Sequence, residues 1–207
     1  DDTPTWSGSN VDTSTAMQLL TVYGCVQFIC NGISTLPLDV IRDSGEKKEH
    51  LPLPDWLEYP QVGVHRVGWL TQLLTSLLLD GNAYLAITRS PEGRILELIP
   101  VNPAAVDIRR EQGRRVFYVN GQEPKTEMLH VPAIMRAGCE KGMSPVEAAR
   151  QTIGAGMAVT EFAARFWAQG GTFGGVIEDP GPLNPDNARQ QAKTWARLHS
   201  GKNKAHM

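Results

Sequence analysis

The chain has 207 residues, 41% hydrophobic and 20% charged, with a formal net charge of −2. That composition specifies a packed globular fold, in one sizeable domain or two small ones, and argues against disorder. The near-neutral balance argues against a domain whose main work is gripping phosphate backbone, and Cys25, Cys30 and Cys139 do not make a disulfide framework.

Residues 1–12 are polar and are expected to form an irregular, flexible segment. Thr13 or Ser14 is placed to cap a first helix reaching about Ser34. Asp12 and Asp39 bracket 26 residues without a charge. Gln18, Thr21, Gln27, Asn31 and Ser34 form a polar stripe along this run, which a lipid-spanning helix seldom carries. The run therefore reads as a nearly buried helix of a core or subunit interface, with Cys25 and Cys30 as buried, inert thiols. No charged leader or cleavage site precedes it, so a secretory signal is not expected. Thr35-Leu36-Pro37 breaks the helix and Leu38 to Arg42 reads as a short strand. Asp43 to Glu49 reads as a charged turn. Leu51 to Pro60 holds three prolines and reads as an extended connector anchored by Trp56 and Leu57.

Val64 to Leu79 is a second helix, with Val67, Leu70, Leu74 and Leu77 at core-facing spacing. Asp80-Gly81 stops it, because glycine takes the left-handed cap conformation at little cost. Asn82 to Arg89 alternates, with Ala83, Leu85 and Ile87 on one face. Ser90-Pro91-Glu92-Gly93 is turn chemistry, and Arg94 to Ile99 runs back. Val106 to Arg110, Gln112-Gly113 and Arg115 to Val119 spell a second hairpin. Asn120-Gly121 is a further turn, and Met128 to Val131 a short strand.

Ser144 is the clearest helix cap, with Pro145 at the first helical position and Glu147 completing a capping box. The helix carries Val146, Ala149, Ile153, Met157, Thr160, Ala164 and Trp167 on one face. Gly154 and Gly156, among neighbouring alanines, suit close approach of another backbone. Gly170-Gly171 ends it, and Thr172 to Glu178 reads as a strand. Asn184 caps a last helix with Asp186 in its first turn and Arg197, His199 and Lys202 near its end.

The chemistry-bearing residues form no persuasive catalytic constellation. His130 and Cys139 are the one pair that could be read as base and nucleophile. The competing reading is a strand end and a loop thiol. His50, His65, His199 and His206 have no metal-ligand spacing. Glu92 and Glu97 flank a hairpin as turn and surface residues. Gly170 to Gly175 is glycine-rich but lacks the lysine and the strand-loop-helix order of a phosphate loop. Arg109, Arg110, Arg114 and Arg115 form the single basic cluster. It reads as a solvated hairpin tip, or else as a contact for nucleic acid or an acidic partner.

Certain motifs stand in a telling order. Val22-Tyr23-Gly24-Cys25-Val26 precedes Ser34-Thr35-Leu36-Pro37-Leu38. Leu79-Asp80-Gly81-Asn82-Ala83-Tyr84 and Gly93-Arg94-Ile95-Leu96-Glu97-Leu98 follow. Gly142-Met143-Ser144-Pro145 comes next, and finally Gly201 and Asn203. This series resembles the portal, or head–tail connector, proteins of long-tailed bacteriophages and prophages, over roughly residues 13–206.

The resemblance implies an α+β portal wing region, with short antiparallel hairpins packed against several helices, as one unit over residues 13–207. The stem, clip and crown would lie mainly beyond residue 207, and the chain reads as a fragment of a longer protein. It implies a structural subunit and no enzyme, with no cofactor and no metal. Gly81, Asn82, Tyr84, Gly142, Ser144, Pro145 and Glu147 would be structural motif residues. Its partners would be further copies in a ring of about twelve subunits, with terminase, capsid and tail-adaptor proteins. Double-stranded DNA would pass through without sequence specificity, and no membrane is involved. The location would be the head–tail vertex of the virion, and the host cytoplasm during assembly. The alternatives are a hydrolase using His130 and Cys139, or a cellular interaction module.

Overall fold

The computed structural model describes residues 5–45, 47–168 and 184–198. The expected strand Thr172 to Glu178, the glycine-rich run from Gly170, and His199, Gly201, Lys202, Asn203 and His206 lie outside the described residues, as does the side chain of Arg197. Residues 5–12 carry no helix or strand, yet Thr5 and Val11 are buried.

The first helix is two. Thr13–Ala16 forms α1, and Asp12 rather than Thr13 or Ser14 is its cap. Its carboxylate accepts from the Thr15 amide at 2.7 Å, and its own amide donates to Thr15 Oγ1 at 2.8 Å. A turn over Met17 to Leu19 follows, and α2 runs over Leu20–Ser34. The turn brings Ala16 into the core and packs Leu19 against it. Only Val26, Cys30 and Ser34 of α2 are buried. The expectation of a nearly buried helix is corrected here: a single stripe at four-residue spacing faces inward. Cys30 is on it; Cys25 is exposed.

Val40–Asp43 (β1) pairs antiparallel with Lys48–Leu51 (β2). The expected charged turn is thus half strand, closed through Gly45 with φ of 81° and by Arg42 opposite Glu49 at 3.7 Å. The proline-rich connector holds one helical turn, Asp55–Glu58 (α3), and Trp56 packs against the core cluster of Trp69, Leu85, Ile87 and Leu98.

Arg66–Asp80 forms α4, ended by Gly81 in the left-handed conformation with φ of 68°. Asn82–Arg89 (β3) is the middle strand of an antiparallel sheet between Ile95–Val101 (β4) and Glu127–Pro132 (β7). Val106–Glu111 (β5) and Arg114–Val119 (β6) make a separate hairpin. Leu85 and Ile87 of β3 pack on Trp69 of α4, whose indole N–H donates to the Leu98 carbonyl at 2.6 Å. The opposite face of β3 presents Tyr84 to Val106, Ile108 and Phe117 of the hairpin. β3 is therefore buried on both faces, which the alternation alone does not reveal.

Pro145–Ala148 forms α5, Arg150–Ala168 forms α6 and Pro185–Leu198 forms α7. The helix expected from Pro145 onward is interrupted at Ala149, which leaves helical geometry. A helical core gathers Val26, Leu79, Val146 and Ile153 from α2, α4, α5 and α6. The architecture is α+β, short antiparallel hairpins against helices, as the sequence predicts.

Candidate functional site

Two of the ordered motifs, 60 residues apart, meet at one point. Gly81 gives β3 its entry, and Asn82, the first residue of the strand, points into the loop before α5. Asn82 Oδ1 accepts from the Gly142 amide at 2.6 Å and from His130 Nε2 at 2.9 Å. Its Nδ2 donates to the Asp80 carbonyl at 2.8 Å and the Gly142 carbonyl at 3.0 Å. All four hydrogen-bonding positions of the amide are thereby used.

Both glycines are required by space, and Gly81 also by its left-handed backbone. A Cβ on Gly81 would stand 2.1 Å from the Met143 carbonyl oxygen, and one on Gly142 would stand 2.2 Å from the Gly81 carbonyl oxygen. Ser144 joins the same junction. Its hydroxyl donates to the Leu79 carbonyl at 2.7 Å and accepts from the Glu147 amide at 3.1 Å. One side chain thus caps the start of α5 and the end of α4 together.

His130 pairs with Tyr84 across β7 and β3, and the rings stack at 4.5 Å. Its Nδ1 lies 2.8 Å from the Arg115 guanidinium, which can only donate. Nδ1 is therefore the acceptor, and the ring proton sits on Nε2, facing Asn82. Burial, with Arg115 and then Lys141 adding repulsion, pushes His130 down to about 4. Burial likewise pushes Tyr84 up to about 12 and keeps it a phenol. Neither ring nitrogen of His130 is left for Cys139, an exposed loop thiol. The base-and-nucleophile pair has no geometric support. Among the described residues no cluster of side chains could hold a metal ion. No helix among them is long and apolar enough to cross a membrane.

The four arginines surround the β5–β6 turn but do not act as one positive patch. Arg109 pairs with Asp107 at 3.0 Å and lies 4.5 Å over the Tyr118 ring. Arg110 and Arg115 both hold Glu140, at 2.7 and 3.0 Å. Arg114 has no ion pair among the described residues, and Glu111 is its cross-strand partner in register. Lys141 adds a tie from the loop to the Val106 carbonyl at 2.6 Å. The cluster clasps the hairpin onto the loop that leads to α5. His130 as a structural ring and Glu140 as the counter-ion escape sequence reasoning, because their partners lie 15 to 48 residues away.

The surface is unusual in another respect. Leu20 and Phe28 on α2 and Phe162 and Trp167 on α6 are each more than two-thirds exposed. Large uncovered apolar side chains of this kind mark surfaces suited to packing against other protein.

The family model described as "Phage portal protein" matches residues 20–207. The chain belongs to the phage portal protein family. It is 30% identical over 218 residues to the probable portal protein of Streptomyces phage phiC31, a match covering 97% of this chain and 48% of that one. It is 24% identical over 197 residues to the portal protein of Enterobacteria phage HK97, covering 89% of this chain and 46% of the relative. This portal-family chain spans about half the length of the curated relatives it matches. Its fold superposes on the crystal structure of an HK97-family phage portal protein from Corynebacterium diphtheriae with a TM-score of 0.66. That match has 16% identity and covers 91% of this chain and 61% of the other. A chain from the neck of a native gene transfer agent particle, computed with C12 symmetry, matches with a TM-score of 0.58. There the identity is 17%, and 93% of this chain and 55% of the other are covered. In this portal-family chain, the Gly81-Asn82-Ala83-Tyr84 and Gly142-Met143-Ser144-Pro145 motifs are the two sides of one structural junction.

Proposed function

We propose that this chain is the wing region of a portal subunit. The full-length protein assembles as a ring, of about twelve copies, at the head–tail vertex of a phage virion. The ring is the conduit through which DNA is packaged and ejected, and it is where terminase and tail adaptor attach. Subunits assemble in the host cytoplasm, with capsid protein as a further partner. The stem, clip and crown lie mainly in the part of the protein beyond residue 207. The observation that carries this reading is the family match over residues 20–207, supported by a phage portal relative aligned along 97% of the chain. The locally neutralised arginines suit a scaffold past which DNA slides without sequence specificity, because a strongly basic surface would retain it.

Negative-stain electron microscopy of the full-length protein tests the proposal. Rings with a central channel wide enough for duplex DNA are expected. Uniform monomers or dimers across concentration would overturn it.

A further inference from the structure

The β5–β6 hairpin lies on the three-stranded sheet without belonging to it. Among the described residues no backbone–backbone hydrogen bond runs from it to β3, β4 or β7. It is closed on itself instead. The Asn120 amide donates to the Ala105 carbonyl at 2.9 Å, and Val119 and Gln122 exchange bonds across the turn that follows. Residues 103–122 are thereby tied into one body. The chain enters it at Asn102 and leaves it through residues 123–126, which carry no helix or strand.

Two kinds of contact hold this body down. Beneath it, Val106, Ile108 and Phe117 cover Tyr84. Tyr84 is 1% exposed, and its hydroxyl finds no hydrogen-bond partner among the described residues. A buried hydroxyl without a partner favours any arrangement that returns it to water. At the rim the ties are charged. Arg110 and Arg115 hold Glu140, Lys141 holds the Val106 carbonyl, and Arg115 reaches His130 Nδ1. The Arg110 and Arg115 side chains are 68% and 37% exposed, so salt can screen these ties.

His130 connects the rim to the proton. Tyr84 and Asn82 face it from β3, Phe117 and Arg115 from β6, and Lys141 from the loop, with Glu140 behind Arg115. With the hairpin down, Arg115 occupies Nδ1 and two cations oppose a second proton on the ring. Lifting the hairpin carries Arg115 away with β6 and frees Nδ1. The open form therefore binds a proton that the closed form refuses.

We propose that residues 103–122 are a flap, which lifts as one body from the β3–β7 face in response to acid and to salt while the three-stranded sheet and the helical core stay folded. The flap does not depend on the ring reading above.

The test is thiol labelling of the full-length protein carrying Ile108→Cys. The new thiol lies under the flap, where Ile108 is 9% exposed; native Cys30 lies in the helical core, and native Cys25 is exposed. The probe is 4,4′-dithiodipyridine, read site by site with peptide mass spectrometry. The Cys25 rate corrects for the pH dependence of thiolate reactivity. Relative to Cys25, the introduced thiol should label faster at pH 5 than at pH 7.5, by on the order of tenfold. It should also label several-fold faster in about 0.5 M NaCl than at low salt. Cys30 should stay protected throughout.

In the same background, Glu140→Gln should speed labelling at pH 7.5 and remove most of the salt effect. Tyr84→Phe should slow labelling, because the flap then covers no orphaned hydroxyl. His130→Gln should flatten the pH dependence. Labelling of the introduced thiol and Cys30 at one common rate would mean that only whole-molecule unfolding uncovers the face, and would overturn the flap. Labelling indifferent to both pH and salt, or as fast as Cys25 under every condition, would overturn it equally. Val106→Cys, at a position 2% exposed under the same body, repeats the measurement if Ile108→Cys lowers the thermal midpoint.

Discussion

Both functions of the Asn82 amide are committed inside the fold, so the residue has no conservative replacement. Asn82→Ala strands the Gly142 and His130 N–H groups and the Asp80 and Gly142 carbonyls. A loss of about 3 kcal/mol is expected, since each buried group left unpaired costs on the order of 1–3 kcal/mol and some will find water. Urea denaturation should show a lower midpoint with an unchanged slope.

His130 gives a pH signature at the same scale. Its folded value is about 4, against an unfolded value of 6.5. Between those values the unfolded chain takes up a proton that the folded chain refuses, so falling pH favours unfolding. Stability should be level above pH 6.5 on this account, decline from 6.5 to about 4, and lose no more through His130 below that. The denaturation midpoint measured against pH, in wild type and in His130→Gln, checks this: the variant should lack the added slope in that window. The junction was only half legible in sequence. Gly81 and Ser144 announce themselves as local signals, whereas nothing within ten residues of His130 indicates Asn82, Tyr84 or Arg115 as its neighbours.

The elements follow the same division. Hairpins whose turns carry special residues are readable: Gln112 and Gly113 have φ of 49° and 80°, and Asn120 and Gly121 have 51° and 78°. β2 is not readable, because Lys48–Leu51 has no apolar alternation and exists through its pairing with β1. The breaks at Met17 to Leu19 and at Ala149 are also silent, since the apolar spacing runs on across them. Ser144 caps two helices, so Ser144→Ala should cost about 1.5 kcal/mol, more than a single cap of about 1 kcal/mol. Thermal or urea melts of the two proteins decide it.

The glycines of α6 are not equivalent. A Cβ on Gly154 would lie 2.8 Å from the Thr5 side chain, whereas one on Gly156 would lie 3.4 Å from Leu19 Cδ1. The close approach expected for this helix is therefore to the N-terminal segment and at Gly154. Gly154→Val should push residues 5–11 off α6, and faster amide hydrogen exchange confined to that segment would be the sign.

For the whole molecule, the charge and the apolar surface of this portal-family chain are laid out separately. Arg109, Arg110 and Arg115 are tied down locally, and α2 and α6 carry uncovered apolar side chains. The Asn82–Gly142 contact also orders events in time. The β5–β6 hairpin lies wholly within the 60 residues that this contact closes. Short hairpins form in microseconds, and a preformed one shortens the slack that a later closure must gather. The junction should therefore be a late clasp, formed after the transition state for folding. Asn82→Ala would then speed unfolding and leave refolding close to the wild-type rate in stopped-flow experiments. A clasp of that kind sets how long the chain stays native rather than how quickly it becomes so, as the virion role proposed above would require.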